Sequence, residues 1–199
     1  LHGNITDGTV VEFRKMTGVV ATTPGQELGN VSWQVIQGPI TVQHIFSNWT
    51  DGTAEEVFNI DHINSSKSII TVYGAGFGAK SKVAGHKLRG YFVNDSRIVI
   101  ARSFDSSAVN FTVQVIEFPP SYEVTSGSAT ITSDTLSVSL DENIVVNRTW
   151  LYFTHDASVN GLSQTSVVGY IENEGEIVFE RQIGNTDAGE NNISYFLVE

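Results

Sequence analysis

The 199-residue chain contains no cysteine. That excludes disulfide staples, thiolate metal sites and cysteine nucleophiles. Cationic residues are scarce, with 11 Lys and Arg against 22 Asp and Glu, and the net charge is −11. Such a balance opposes nonspecific nucleic-acid binding and attraction to anionic membranes. No apolar run approaches the ~18 residues of a membrane span, so no membrane insertion is expected within this chain. No signal peptide pattern is present either. The chain opens on Leu1 rather than Met and closes on Glu199 inside a strand pattern, which predicts that both ends are cuts within a longer protein. Proline is limited to four residues, and their positions carry information.

What the chain does have is a repeat. Asn30-Val31-Ser32-Trp33-Gln34-Val35-Ile36-Gln37 returns as Asn110-Phe111-Thr112-Val113-Gln114-Val115-Ile116-Glu117, and again as Asn192-Ile193-Ser194-Tyr195-Phe196-Leu197-Val198-Glu199. Each copy is an Asn-x-Ser/Thr sequon that runs into an apolar strand. Further segments recur at nearly the same offset. Lys67–Tyr73 aligns with Arg148–Thr154, and Gly90-Tyr91-Phe92 with Gly169-Tyr170-Ile171. A turn acid lies seven residues before an arginine three times, as Asp7/Arg14, Asp95/Arg102 and Glu174/Arg181. Gly38-Pro39 and Pro119-Pro120 follow closing strands, where proline cannot extend a ladder and so marks a joint.

These offsets predict three segments. Residues 1–37 are the terminal strands of a partial repeat. Residues 38–117 and 118–199 are complete repeats. The apolar segments are short, β-branched and aromatic, and no stretch sustains a 3.6-residue period, so the expected class is all-β. Six to eight strands in about 80 residues predict a small antiparallel β-sandwich per repeat. The short joints predict neighbours placed end to end with little freedom. The strand pair in 1–37 is only marginally stable alone, which predicts strand donation or another assembly contact.

Sequons occur at Asn4, Asn30, Asn48, Asn64, Asn94, Asn110, Asn147 and Asn192. Chance predicts about three such matches in a chain of this composition. Asn30, Asn110 and Asn192 are the leading glycosylation candidates, followed by Asn48, beside the turn Asp51-Gly52. The alternative is that Asn, Ser and Thr simply populate polar turns. Arg14, Arg102 and Arg181 read as structural, either pairing with the closing-strand acids Glu117 and Glu199 or capping a turn; the competing reading is a carboxylate or glycan contact.

Calcium near Asp61 or Asp141 is a weak option, because neither lies in the alternating acidic spacing of a dedicated loop. The five histidines show no metal-pair spacing. No nucleophile elbow is present, and Gly74–Ser81 lacks phosphate-loop spacing. Trp49 beside its sequon is a possible sugar-stacking residue, whereas Trp33 and Trp150 fit strand cores.

The closing strands Gln34–Gln37, Gln114–Glu117 and Phe196–Glu199, with their proline-marked joints, resemble the tandem β-sandwich repeats of prokaryotic surface proteins and extracellular or viral fibres. The resemblance spans almost the whole chain at the level of a class. It implies a non-enzymatic structural component of a glycosylated extracellular fibre or cell-surface array. Its partners would be copies of itself and N-linked glycans. An alternative is an adhesin or glycan-binding fibre module whose variable loops contact ligand. A weaker one is an accessory domain of a secreted hydrolase.

Overall fold

The structure is a computed structural model, and it describes residues 2–5, 11–14, 39–77, 83–105, 108–158, 166–181 and 189–199. Two compact units divide the chain, 1–38 and 39–199. In the first, β1 (His2–Ile5) pairs antiparallel with β2 (Val11–Arg14) in the register His2↔Arg14. The expected strand at 31–37 lies outside the described residues.

The second unit is all-β and contains two sandwiches of six strands each. The first comprises β3 (Thr41–Trp49), β4 (Glu55–Asn59), β5 (Ser68–Phe77), β6 (Arg89–Asn94), β7 (Arg97–Ala101) and β8 (Ala108–Glu117). The second comprises β9 (Val124–Ile131), β10 (Thr135–Ser139), β11 (Trp150–His155), β12 (Val167–Asn173), β13 (Glu176–Arg181) and β14 (Asn191–Val198). Both have one topology. The first, last and third strands form one sheet, β3-β8-β5 or β9-β14-β11. The second, fifth and fourth form the other, β4-β7-β6 or β10-β13-β12.

The repeat extends to individual hydrogen bonds. Ile60 N–H donates to Ser96 O at 3.0 Å, and Leu140 N–H to Gly175 O at 2.8 Å. Ile63 and Ile144 likewise donate to Asp95 O and Glu174 O. The closing acids do equal work: Glu117 Oε1 accepts from Asn64 N–H at 2.8 Å, and Glu199 Oε2 from Val145 N–H at 3.1 Å. Each acid fixes the turn that leads into the third strand of its sandwich.

Alternation builds the cores. In β8, Val109, Phe111, Val113 and Val115 point inward and are buried, while Asn110, Thr112 and Gln114 lie on the outer face. The inward glycine of the fourth strand is required sterically in both copies. A Cβ on Gly90 would stand 2.7 Å from Ile70 Cγ2, and one on Gly169 would stand 2.8 Å from Phe179 Cε1. Separations that short force neighbours off their rotamers.

β14 departs from alternation, and this sets how the sandwiches meet. Ile193, Tyr195 and Leu197 enter the core of the second sandwich, whereas Phe196 and Val198 join the core of the first. Trp150 and Tyr152 of β11 and Val124 of β9 pack with them. The outer face of sheet β9-β14-β11 therefore covers the open β5–β6 side of the first sandwich. Burial of Phe196 and Val198 contributes about 2 kcal/mol each. The arrangement is face on edge rather than the end-to-end stacking that the short joint suggested. The joint itself is pinned, because Lys67 Nζ donates to Tyr122 O at 2.6 Å and Phe118 N–H donates to Lys67 O at 2.8 Å.

Candidate functional site

A polar cluster borders the apolar contact between the sandwiches. Asp156, directly after β11, is only 2 % exposed. Its Oδ2 pairs with Arg89 Nε of β6 at 3.3 Å. Its Oδ1 accepts from Ser103 Oγ at 2.5 Å and from Asn192 Nδ2 at 3.1 Å. Thr154 Oγ1 accepts from Gly90 N–H at 3.0 Å, so a side chain of the second sandwich satisfies the edge backbone of the first. The Tyr152 hydroxyl bonds to the Val72 backbone and the Tyr73 side chain, and burial pushes its pKa well above the ordinary tyrosine value. Desolvated bonds of this type fix the orientation of two bodies as well as their contact.

The leading sequon Asn192 belongs to this cluster. Its Nδ2, the atom a glycan would join, donates to Asp156 and also to Ser103 Oγ at 3.2 Å. Its Oδ1 accepts from Thr130 Oγ1 at 3.0 Å. A sugar at Asn192 would displace the contact between the sandwiches. The equivalent Asn110 is exposed, and register places it directly opposite Asn48 on β3, also exposed.

Asn64, Asn94 and Asn147 are exposed at turns. Asn64 Oδ1 caps a short 3-10 turn by accepting from Ser66 N–H, and Asn94 Oδ1 accepts from Ser96 N–H, which leaves the amide nitrogen as the outward group in both. Asn4 lies in β1, where the backbone alone is described, and Asn30 lies outside the described residues.

The repeated arginines organise loops, in line with the turn-capping reading rather than the acid-pairing one. Arg102 is buried and donates to the carbonyls of Thr53 at 2.6 Å, Gly85 at 2.9 Å, Thr50 at 3.0 Å and Asp105 at 3.3 Å. Arg181 donates to Ser133 O at 2.9 Å, to Asn191 Oδ1 at 2.8 Å and to Gly189 O. These partners are loop carbonyls and, for Arg181, the Asn191 side-chain oxygen, whereas Glu117 and Glu199 hold backbone amides. Arg14 lies in β2, where its side chain is not described.

Trp49 is also corrected. It ends β3, is 4 % exposed, packs edge-on to Phe111 at 4.9 Å and donates from Nε1 to Glu56 Oε2 at 2.6 Å. Arg102 lies over its ring at 5.3 Å. A sugar could not reach it.

Asp61 and Asp141 are exposed, and among the described residues no group of three or more acidic or imidazole side chains converges for a metal. A depression lined by His62, Ile63, Asn64, Asp95 and Glu117 is open to solvent. Its carboxylates already serve the backbone: Asp95 Oδ1 accepts from Ser65 N–H and Oγ, which holds its pKa below the usual range. No helix among the described residues is long and apolar enough to cross a membrane. Gly74–Phe77 extend β5, and 78–82 lie outside the described residues. No family model, curated protein or solved structure matches this chain.

Proposed function

We propose that the chain is a structural, non-enzymatic segment of a glycosylated extracellular fibre or cell-surface array. The observation that carries this reading is the built joint between the repeats. A repeat that covers its neighbour's open side with both apolar packing and a buried polar cluster transmits orientation along an array. That device serves a rod, and the strongest polar constellations of the described residues are all committed to holding backbone or joint.

Net charge −11 keeps such a surface self-repelling and soluble. Exposed sequons at Asn64, Asn94 and Asn147 sit where a glycan would add solvation without disturbing a strand. The localisation reading is tested with an antibody against 39–199 on intact source cells or particles. Labelling without permeabilisation is expected; labelling only after permeabilisation contradicts it. Glycosylation is tested on the natively purified protein, where peptide mass mapping should find sugar at these three positions.

A further inference from the structure

Phe46 of β3 is 75 % exposed, more than any other large apolar side chain among the described residues. It lies two positions before Asn48 on the same face of the strand, and Asn48 is exposed as well. Ile45 and Trp49 take the opposite face and pack in the core. Trp49, the aromatic next to Asn48 in sequence, is therefore turned away from any sugar there, and Phe46 is turned toward it.

Register sets the rest of the patch. Phe46 stands opposite Thr112 of β8, the hydroxyl residue of the Asn110 sequon. Asn110 stands opposite Asn48, but its same-face neighbours along β8 are Ala108 and Thr112 rather than an aromatic. The second sandwich repeats this register, with Asn192 opposite Thr130 and Ser194 opposite Ser128. Ser128 and Thr130 thus hold the places of Phe46 and Asn48. Where the closing-strand asparagine is engaged at the joint, as Asn192 is, the aromatic and the first-strand sequon are both absent. Where it is exposed, as Asn110 is, they occur together.

We propose that Asn48 carries an N-linked glycan whose first sugar lies on the Phe46 ring. One face of a pyranose presents axial C–H groups, whose partial positive charge matches the negative face of an aromatic ring. Alternate residues of a strand are about 6.6 Å apart, so a ring attached at Asn48 Nδ2 reaches its same-face neighbour. The backbone behind the sequon is fixed, since Arg102 Nη2 donates to Thr50 O at 3.0 Å and Gly52 N–H to Asp105 O at 2.8 Å. The sugar also shields an edge. Among the described residues β3 ends its sheet, and a nine-residue edge strand with an exposed phenyl ring invites pairing with other chains. The inference rests on the glycosylated reading above and gives it a further position with a specific contact.

The test has two parts. Peptide mass mapping of the natively purified protein should find sugar at Asn48. A double-substitution cycle then uses the chain secreted from a host that N-glycosylates, with N48Q, F46A and both together, read by urea unfolding. N48Q is expected to lower the midpoint when Phe46 is present and to leave it unchanged in F46A. The same cycle on the chain made in a host without N-glycosylation should show no coupling between the two positions. Both substitutions change exposed side chains, so all four proteins should fold, which circular dichroism checks.

An N48Q variant as stable as the wild type, or an N48Q effect of equal size with and without Phe46, overturns the contact. So does coupling of the same size in the unglycosylated chain. Native protein with sugar at Asn64, Asn94 and Asn147 but a bare Asn48 overturns this site and leaves the glycosylated reading standing. A native chain bare at every sequon overturns both.

Discussion

Arg89 of the first sandwich and Asp156 of the second meet at 3.3 Å on the border of the shared core, with Asp156 almost fully withdrawn from water. The pair belongs to neither repeat alone. Asn192 and Ser103 complete the carboxylate's bonds, and the backbone of the adjacent Gly90 bonds across to Thr154. D156A removes the acceptor for three donors in a buried setting. We expect a loss of about 2–3 kcal/mol, read as a lower urea midpoint. R89A should cost less, because the guanidinium is partly solvated.

The fourth-strand glycines give a steric prediction. G90A and G169A each place a methyl group within 3 Å of a core side chain. Each should destabilise by about 1–3 kcal/mol. G90A also disturbs the joint, so it should broaden the distance between probes on the two sandwiches; G169A should not.

Arg102 holds four loop carbonyls with one guanidinium. R102K should fail to rescue R102A, because a single ammonium cannot span that set. Both variants are expected to lose about 3 kcal/mol or more in urea unfolding. A fully stable R102K would contradict the fork-geometry argument.

His86 titration supplies a pH dependence. Burial, and then the nearby Arg102 charge, hold its pKa below the ordinary histidine value. The fold thus favours neutral imidazole. This contribution is fully present above the unfolded pKa of about 6.5. It is lost as pH falls below that value through the lower folded pKa, since the unfolded state then binds the proton first. H86Q should flatten the stability profile on the acid side of about pH 6.5, measured by denaturation across pH.

Glycan occupancy distinguishes exposed sequons from the one held at the joint. Mapping of the native protein should find Asn94 and Asn147 modified and Asn192 bare, because Asn192 Nδ2 is engaged at the joint. A glycan on Asn192 would require the sandwiches to separate there.

Much of the fold was legible because two signals agreed. Alternation in Phe111–Val115 gives the faces of β8, and the near-80-residue offset gives equivalent strands, including the β12–β13 hairpin across Glu174-Gly175. The face-on-edge joint was less visible, although β14 carried its trace. Tyr195–Val198 is apolar at consecutive positions, as a strand covered on both faces must be, whereas Thr112 and Gln114 keep β8 polar on one face.

Turn capping by Arg102 and Arg181 was among the readings, but their individual partners were hidden, because backbone carbonyls leave no residue-type signature. Spacing pointed to Glu117 and Glu199, which were already taken by backbone amides. Trp49 misled for a related reason: adjacency to a turn says nothing of which way the ring at the strand end points. Asn192 shows the same limit, since a sequon records only local sequence and its access is decided by residues 36 and 89 positions away.

The central claim is that the two sandwiches form one fixed joint that sets the geometry of an array. A cysteine-free chain allows a direct measurement, with spin labels at V57C and V168C and the distance read by pulsed electron resonance on dilute protein. The account predicts one narrow distance distribution that D156A or G90A broadens. A broad distribution in the otherwise wild-type chain would contradict it.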